Sequence, residues 1–364
     1  MTRYLLAGGG TAGHVNPLLA VADRLKRRDP DAVILVLGTT QGLEARLVPQ
    51  RGYELLTVEK LPFPRRPTPA AIRFPSRFLS VVAQIRGIIA EREIDVVVGF
   101  GGYVSAPAYL AARRSGTPFV IHEANAKPGM ANRLGSLFTP FVGVTFARTR
   151  LRGARVVGMP LRPEIETLDR HAARPTAYSA FGLDPARLTL LVTGGSLGAR
   201  RLNETLAESV AFVLGAGWQV LHIAGTRSDT RFPSLAGYTV LPYCDRMDLA
   251  LAVADLVVAR AGSSTVSELT ALAIPAVYVP LAIGNGEQRV NAADAVGRGA
   301  AVLVENSRFT PEWVADELLP LLEDRAGLAG MAAQAAALSV RDGADRLVAL
   351  IDEASGTAPR GEVA

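Results

Sequence analysis

Residues 4–14 read Tyr-Leu-Leu-Ala-Gly-Gly-Gly-Thr-Ala-Gly-His: four strand-forming residues, a glycine cluster, then a helical pattern from about Pro17 to Arg28. A strand that passes through glycines into a helix suits an anion. The missing Cβ lets backbone N–H groups approach it, and the helix N-terminus adds a favourable dipole. A tight strand-to-helix turn also needs glycine for packing, so this turn alone leaves both readings open. The same order recurs as strand Leu188–Thr193, turn Gly194-Gly-Ser-Leu-Gly-Ala199 and helix 200–214. It repeats architecture rather than sequence, and predicts an α/β protein of two Rossmann-like domains facing a cleft.

Working outward, the first half carries strand-length apolar runs at 32–37, 96–99, 119–122 and 142–146. Helical segments fall between them at 41–51, 76–92, 105–115 and 128–137. The second half continues with strands at 219–224, 238–241, 256–259, 276–279 and 301–304 and helices at 246–253, 264–273, 287–298 and 311–323. This alternation is the mark of parallel sheets. Gly158, Pro160 and Pro163 punctuate the chain between the halves. The domains are therefore expected at 1–160 and 161–340, with 166–187, polar and proline-containing, as connector and entry loop. A helix at 341–354 could pack on either domain, including back on the first, and 355–364 reads as a flexible tail.

At 364 residues, 49% hydrophobic and 20% charged, the chain is neither disordered nor fibrous. One cysteine, Cys244, excludes a disulfide framework, and four scattered histidines argue against a metal cage. The net charge of +5 is small for a nucleic-acid binder but suits an anionic membrane surface. The apolar stretches 96–112, 209–226 and 269–286 are each broken by Gly or Pro and read as buried strands with turns.

His14, at the mouth of the first glycine turn, can remove a proton near neutral pH; the alternative is that it only hydrogen-bonds the loop. Gly8, Gly10 and Gly13 fit a dinucleotide fingerprint, but the second strand ends in Gly38-Thr-Thr, without the carboxylate that would hold a ribose. Ser196 can cap the helix after the second turn while facing a pyrophosphate. In Arg260-Ala-Gly-Ser-Ser-Thr-Val-Ser-Glu268, Thr265 and Glu268 fit a capping box, which the motif by itself favours. The sharper reading has the 262–265 amides on a phosphate and Glu268 on a ribose. Gly284-Asn-Gly-Glu-Gln288 adds an amide suited to sugar hydroxyls. His122-Glu-Ala-Asn125 ends a strand where open sheets place ligand groups, and Arg162 follows the domain boundary. In 61–92, Phe63, Phe74 and Phe78 alternate with Arg65, Arg66, Arg73, Arg77 and Arg86. That mixture fits an interfacial membrane patch, or equally a helix with a core face and solvated arginines.

The ordered set GGGTAGHVNP (8–17), GFGGYVSAP (99–107), HEAN (122–125), GMPLR (158–162), GGSLGAR (194–200), RAGSSTVSE (260–268) and QRVNA (288–292) closely resembles the MurG family of bacterial cell-wall glycosyltransferases, over roughly residues 1–350. The resemblance implies a GT-B fold and transfer of N-acetylglucosamine from its UDP derivative to the 4-hydroxyl of the muramyl sugar of lipid I, giving lipid II for peptidoglycan. It implies His14 as base and Thr11, Ala12 and Gly13 as a loop facing donor and acceptor phosphate. Asn125 would contact the donor sugar, and Arg162 and Ser196 the uridine diphosphate. Ser263, Ser264, Thr265, Val266, Ser267 and Glu268 would hold pyrophosphate and ribose, with Gln288 on the sugar and the Cys244 backbone at uracil. It further implies no protein-bound metal or cofactor, no nucleic-acid partner, and peripheral attachment to the cytoplasmic side of the cell membrane. Met159, Leu197 and Ala12 depart from residues frequent in the family (Asn, Gln and Gly), which touches donor contacts but no base. The rivals are another GT-B transferase acting on a glycolipid or natural product, a UDP-sugar epimerase, a nucleotide-dependent oxidoreductase and a non-catalytic sensor.

Overall fold

In the computed structural model of the chain, residues 1–64, 69–281 and 286–356 are described. The chain divides into two compact units, Met1–Arg162 with Arg341–Ala364, and Pro163–Val340. The first unit holds seven strands: β1 (Arg3–Ala7), β2 (Val33–Gly38), β3 (Glu54–Thr57), β4 (Val96–Gly99), β5 (Phe119–Glu123), β6 (Val142–Val144) and β7 (Ala154–Val156). They run parallel in the order β3-β2-β1-β4-β5-β6-β7. Parallel strands buried on both faces need apolar residues at successive positions, and β4, Val-Val-Val-Gly, is buried throughout.

The pleat sorts those side chains into two layers. Tyr4, Leu6, Ile34, Val36, Val96 and Val98 face helices Ala12–Arg28 and Gly343–Ser355, whereas Leu5, Ala7, Leu35, Leu37 and Val97 face helices Pro69–Glu91 and Ser105–Ser115. The C-terminal helix thus belongs to the first unit. Leu347 and Ile351 are fully buried there, each stabilising by roughly 1.5–3 kcal/mol. Arg28 and Asp352 pair in bidentate fashion, with Nη2 2.8 Å from Oδ1, and Arg24 reaches Asp345 at 2.9 Å.

The second unit repeats the plan with β8 (Thr189–Thr193), β9 (Gln219–Ile223), β10 (Tyr238–Leu241), β11 (Ala254–Ala259), β12 (Ala276–Tyr278) and β13 (Ala301–Leu303), ordered β10-β9-β8-β11-β12-β13 and again parallel. In each sheet the strand order reverses beside the first strand, at β1/β4 and at β8/β11. That reversal opens a crevice at the strands' carboxyl ends, where ligands of such sheets bind.

Four features depart from the sequence reading. The first helix starts at Ala12, not Pro17, because Thr11 in extended conformation (φ −126°) ends the turn and the helix tolerates Pro17 inside. This places His14 in the first helical turn. The strands β3 and β7 were not expected: both lie at sheet edges, and β7 is exposed at all three residues, so no buried pattern marks it. The expected connector 166–187 contains helix Arg170–Phe181, capped by Asp169, which accepts from the His171 and Ala172 amides at 2.9 and 3.1 Å. Only Ala177 of that helix is buried, so it lacks an apolar stripe. Helix Arg325–Ala337, mostly alanine and glycine, likewise escaped the pattern.

Residues 65, 66, 284 and 285, and the tail beyond 356, lie outside the described residues. Among the described residues, no helix is long and apolar enough to cross a membrane.

Candidate active site

In the first unit, β1 ends at Ala7 and Gly8–Gly10 turn the chain into the helix that carries His14. The His14 ring has its Nδ1 3.1 Å from the Gly9 carbonyl oxygen and 3.2 Å from Thr11 Oγ1. A carbonyl only accepts, so Nδ1 carries the proton and Nε2 presents a lone pair. Behind the ring stands Gly101, at φ +93°, in the loop after β4; a Cβ there would sit 3.1 Å from Nε2 and Cδ2. Burial pulls the His14 imidazole below its ordinary range, against the opposing charges of Glu123 and Glu44 and the Gly9 carbonyl. The ring is therefore neutral near pH 7, the state a base requires.

Glu123, at the end of β5, organises the neighbouring loop. Oε1 accepts the Asn125 amide at 2.8 Å, and Oε2 accepts the Gly129 amide and Asn132 Nδ2, each at 2.9 Å. Asn125 is half-buried, and its carbonyl accepts from Thr149 Oγ1 at 3.3 Å. His122 is buried instead, pushed down to about 4 by burial, and donates from Nε2 to the Gly158 carbonyl at 3.1 Å. Arg162 is the last residue of this unit's first segment and is half-buried.

Sequence reasoning missed Glu44. No acid ends β2, yet the chain returns six residues later with a carboxylate of zero exposure. It accepts the Gly10 amide at 2.8 Å, and the Thr39 amide and hydroxyl at 3.0 and 2.8 Å. Burial pushes its carboxyl up, but bonds from Gly10, its own amide and Thr39 outweigh that and hold it below its usual range. The signal available was the glycine at 42, beside which a buried acid fits.

In the second unit, the turn after β8 lines a cavity of about 740 Å³ together with Arg260, Gln288 and Asn306. Ser196 and Gln288 thus share one pocket, whereas Cys244 and 263–268 are not among its lining residues. The helix behind it, Arg200–Gly215, has Ala199 at its cap and no side-chain cap bond, so the expected capping by Ser196 does not occur. Ser196 is exposed, and its carbonyl accepts from the Thr226 amide and hydroxyl at 3.1 and 3.2 Å. The first-turn amides are left for a ligand. Gln288 Oε1 accepts the Leu281 amide at 2.9 Å.

Arg260 is the second residue that the motif reading underweighted. Its Nη1 donates to the carbonyls of Val279 and Pro280 at 2.9 and 3.2 Å and to Asn306 Oδ1 at 2.7 Å. All three acceptors are neutral, and burial alone pulls the guanidinium down. Among the described residues no carboxylate pairs with it; Glu204, which lines the same cavity, pairs with Arg200 at 2.7 Å.

The capping-box reading of Thr265 and Glu268 fails. Helix Ser263–Ala271 starts behind Gly262, with no side-chain cap, and Thr265 already lies within the helix. Among the described residues Ser264 Oγ is buried without a hydrogen-bond partner, and the first-turn amides beside it have no side-chain cap, so this start is also open to an anion. Cys244 is buried, and burial pushes its thiol up.

The aromatic segment carries a core face, as its second reading expects. Phe74 and Phe78 stack at 5.7 Å and rest half-buried on the core, Phe63 meets Phe74 at 5.0 Å, and Arg77 pairs with Glu59. Yet Ile72 and Leu79 on the same helix are 82% and 48% exposed, and Arg73 is exposed beside them.

Comparison with known proteins agrees with the two-domain fold. Residues 4–142 match the glycosyltransferase family 28 N-terminal domain, and 189–347 match the family's C-terminal domain. A UDP-N-acetylglucosamine--N-acetylmuramyl-(pentapeptide) pyrophosphoryl-undecaprenol N-acetylglucosamine transferase of Leifsonia xyli is 63% identical, over 96% of this chain and 98% of that one. Its counterpart in Streptomyces coelicolor is 49% identical, over 97% and 98%. A crystal structure of MurG from Acinetobacter baumannii superposes with a TM-score of 0.79 at 30% identity, covering 97% of this chain and 100% of that one. With both domain models matched in order and relatives this similar along nearly the whole length, the chain belongs to the MurG family of GT-B glycosyltransferases, within glycosyltransferase family 28.

Proposed function

We propose that this protein transfers N-acetylglucosamine from UDP-N-acetylglucosamine to N-acetylmuramyl-(pentapeptide) pyrophosphoryl-undecaprenol, making lipid II for peptidoglycan. The observation that carries the proposal is the 63% identity with the Leifsonia xyli transferase along 96% of the chain. In this reading His14 Nε2 takes the proton of the muramyl 4-hydroxyl as that oxygen attacks the anomeric carbon opposite UDP, inverting α to β. A positioned base contributes roughly 10²–10⁴-fold. Thr11, Ala12 and Gly13 face the phosphates of donor and acceptor, and Asn125 meets the donor sugar.

The second unit holds the donor. Charge that develops on the leaving diphosphate falls on the uncapped amides after Gly198 and Gly262, on Ser196 and Ser264, and on Arg162 and Arg260. No resident metal or cofactor has a step in this mechanism. Glu268 takes the ribose hydroxyls, Gln288 the sugar, and the Cys244 backbone the uracil. The neutral anchoring of Arg260 supports its part, since a guanidinium without a carboxylate partner keeps its charge for a diphosphate.

The acceptor's polyprenyl tail lies in the membrane, so the protein works as a peripheral protein at the cytoplasmic leaflet, with anionic lipid rather than nucleic acid as its surface partner. Ile72, Arg73, Phe74 and Leu79 form the contact. Replacing Ile72 and Leu79 by Ser should release the protein from anionic vesicles without altering UDP affinity; retained vesicle binding would remove the patch from this reading. The decisive test is transfer of labelled N-acetylglucosamine from UDP to a lipid I analogue, with UDP-glucose as control. Turnover with UDP-glucose alone, or with neither donor, would overturn the assignment.

A further inference from the structure

The Gly9 carbonyl that takes the His14 Nδ1 proton and the Gly10 amide that Glu44 holds are the two ends of a single peptide group. A peptide group is planar and stiff, its C=O and N–H pointing in opposite directions. Fixing one end therefore fixes the other. We infer that Glu44 is a positioning residue for His14, acting through the Gly9–Gly10 peptide: the carboxylate grips the N–H, the plane is locked, and the carbonyl on its far side holds the imidazole in the Nδ1–H tautomer with Nε2 left unprotonated. The inference rests on the reading of His14 as the base.

Three observations build the relay. Glu44 has zero exposure and spends its second oxygen on the Thr39 amide and hydroxyl, so the carboxylate cannot rotate away from Gly10. Gly9 must lack a Cβ, because one built there would run into the Glu44 carboxyl group. Gly102, in the loop after β4, closes on the same carbonyl from the other side: a Cβ there would lie 2.7 Å from the Gly9 oxygen. The carbonyl thus has little room to move. A charged acceptor on the N–H also polarises the peptide and strengthens its oxygen as an acceptor. In a serine hydrolase a carboxylate orients the histidine directly; here a peptide group stands between them, and the carboxylate sits on a helix remote from the site in sequence.

The charged and titratable groups facing His14 are Glu123 and His122 from β5 and Glu44 from helix Glu44–Gln50. Glu44 favours the imidazolium, so removing its charge lowers the pH at which His14 protonates. A purely structural acid would not shift that pH in step with the ring's tautomer.

The test uses the full chain with ¹⁵N-labelled histidine. In the unsubstituted protein at neutral pH, the His14 ring should show a protonated Nδ1 and a bare Nε2; the reverse tautomer overturns the proposal with no variant needed. In Glu44→Gln the ring should move towards a mixture of tautomers, and the acid limb of kcat/KM should move to lower pH. Its kcat should fall about 10-fold with KM for the donor unchanged within about twofold, less than the loss of the base itself. Glu44→Asp, which keeps the charge but loses the reach, should disturb the tautomer while leaving the acid limb nearer its original place; it also carries the test if Glu44→Gln does not fold. Combined with His14→Ala, Glu44→Gln should cost nothing further, because both act on one step. Multiplying losses, or a Glu44→Gln ring and acid limb identical to the unsubstituted protein, would overturn the relay. His14→Ala turning over normally would instead overturn the base reading, while the tautomer still scores the relay.

Discussion

The two glycine turns occupy equivalent places in two sheets with the same strand order, yet they differ in electrostatic character. The turn after β1 is bounded by carboxylates, Glu44 beneath and Glu123 beside, and presents an imidazole. The turn after β8 has Arg260, held by neutral acceptors, and leads to a helix start without a side-chain cap. Sheet topology decides where each site lies. Side chains delivered from neighbouring loops decide whether it moves a proton or holds an anion.

Substitutions should separate the two turns cleanly. His14→Ala is expected to lower kcat by roughly 10²–10⁴-fold while UDP binds as before. Arg260→Ala should do the opposite, weakening UDP by about 1.5–3 kcal/mol, or about 10- to 150-fold, the range for a hydrogen bond to a charged group. Calorimetric titration of UDP beside single-turnover kinetics reads both. If His14→Ala weakened UDP as much as it slowed turnover, the division of labour between the turns would be wrong.

Acid should also distinguish the units. His122 in the first and His222 in the second are fully buried and pushed down to about 4, and His14, in the first, is lowered as well. An unfolded histidine binds its proton near pH 6.5, so below that value the unfolded state holds protons that the folded state refuses. The stability from these neutral rings is complete above pH 6.5 and is lost as pH falls towards 4, by about 3 kcal/mol for each of the two buried rings. His222 keeps its place through the Tyr238 hydroxyl, 2.8 Å from Nδ1, and by donating to Asn203 Oδ1 at 3.1 Å. With two lowered histidines against one, the first unit should weaken more steeply. Hydrogen exchange at pH 7 and pH 5 tests this: protection in β5 should drop further than in β9, and equal drops would mean that His14 is not lowered.

Much of this layout was legible because both sheets are parallel. Strands such as β4 and β8 must be apolar on both faces, and the glycine turns follow them at once. What escaped lies where burial leaves no periodic trace. The edge strand β7 buries nothing, and helix Arg170–Phe181 is held by arginine-to-carbonyl bonds, Arg170 Nε to Leu251 and Arg174 Nε to Ala252, both at 3.2 Å, rather than by an apolar face. The functional residues divide in the same way. His14 sits beside its glycines in the chain, so spacing exposes it. Glu44 reaches Gly10 from 34 positions away, and the acceptors of Arg260 lie 19, 20 and 46 positions on. Those roles exist only once the sheets are assembled.

The smallest expected effect concerns the start of helix Ser263–Ala271. Were Thr265 the cap of a box closed by Glu268, Thr265→Ala would destabilise by about 1 kcal/mol, as lost caps do. With Gly262 in that place and Thr265 third in the helix, the change should stay within about 0.5 kcal/mol by urea unfolding. The same substitution read by UDP affinity then compares this helix start with the one after Gly198. Both lack a side-chain cap, and both offer their first amides to an anion. A loss of UDP affinity without a loss of stability would mean that the hydroxyl serves the ligand. A stability loss near 1 kcal/mol would restore the cap and leave the turn after β8 as the second unit's principal anion site.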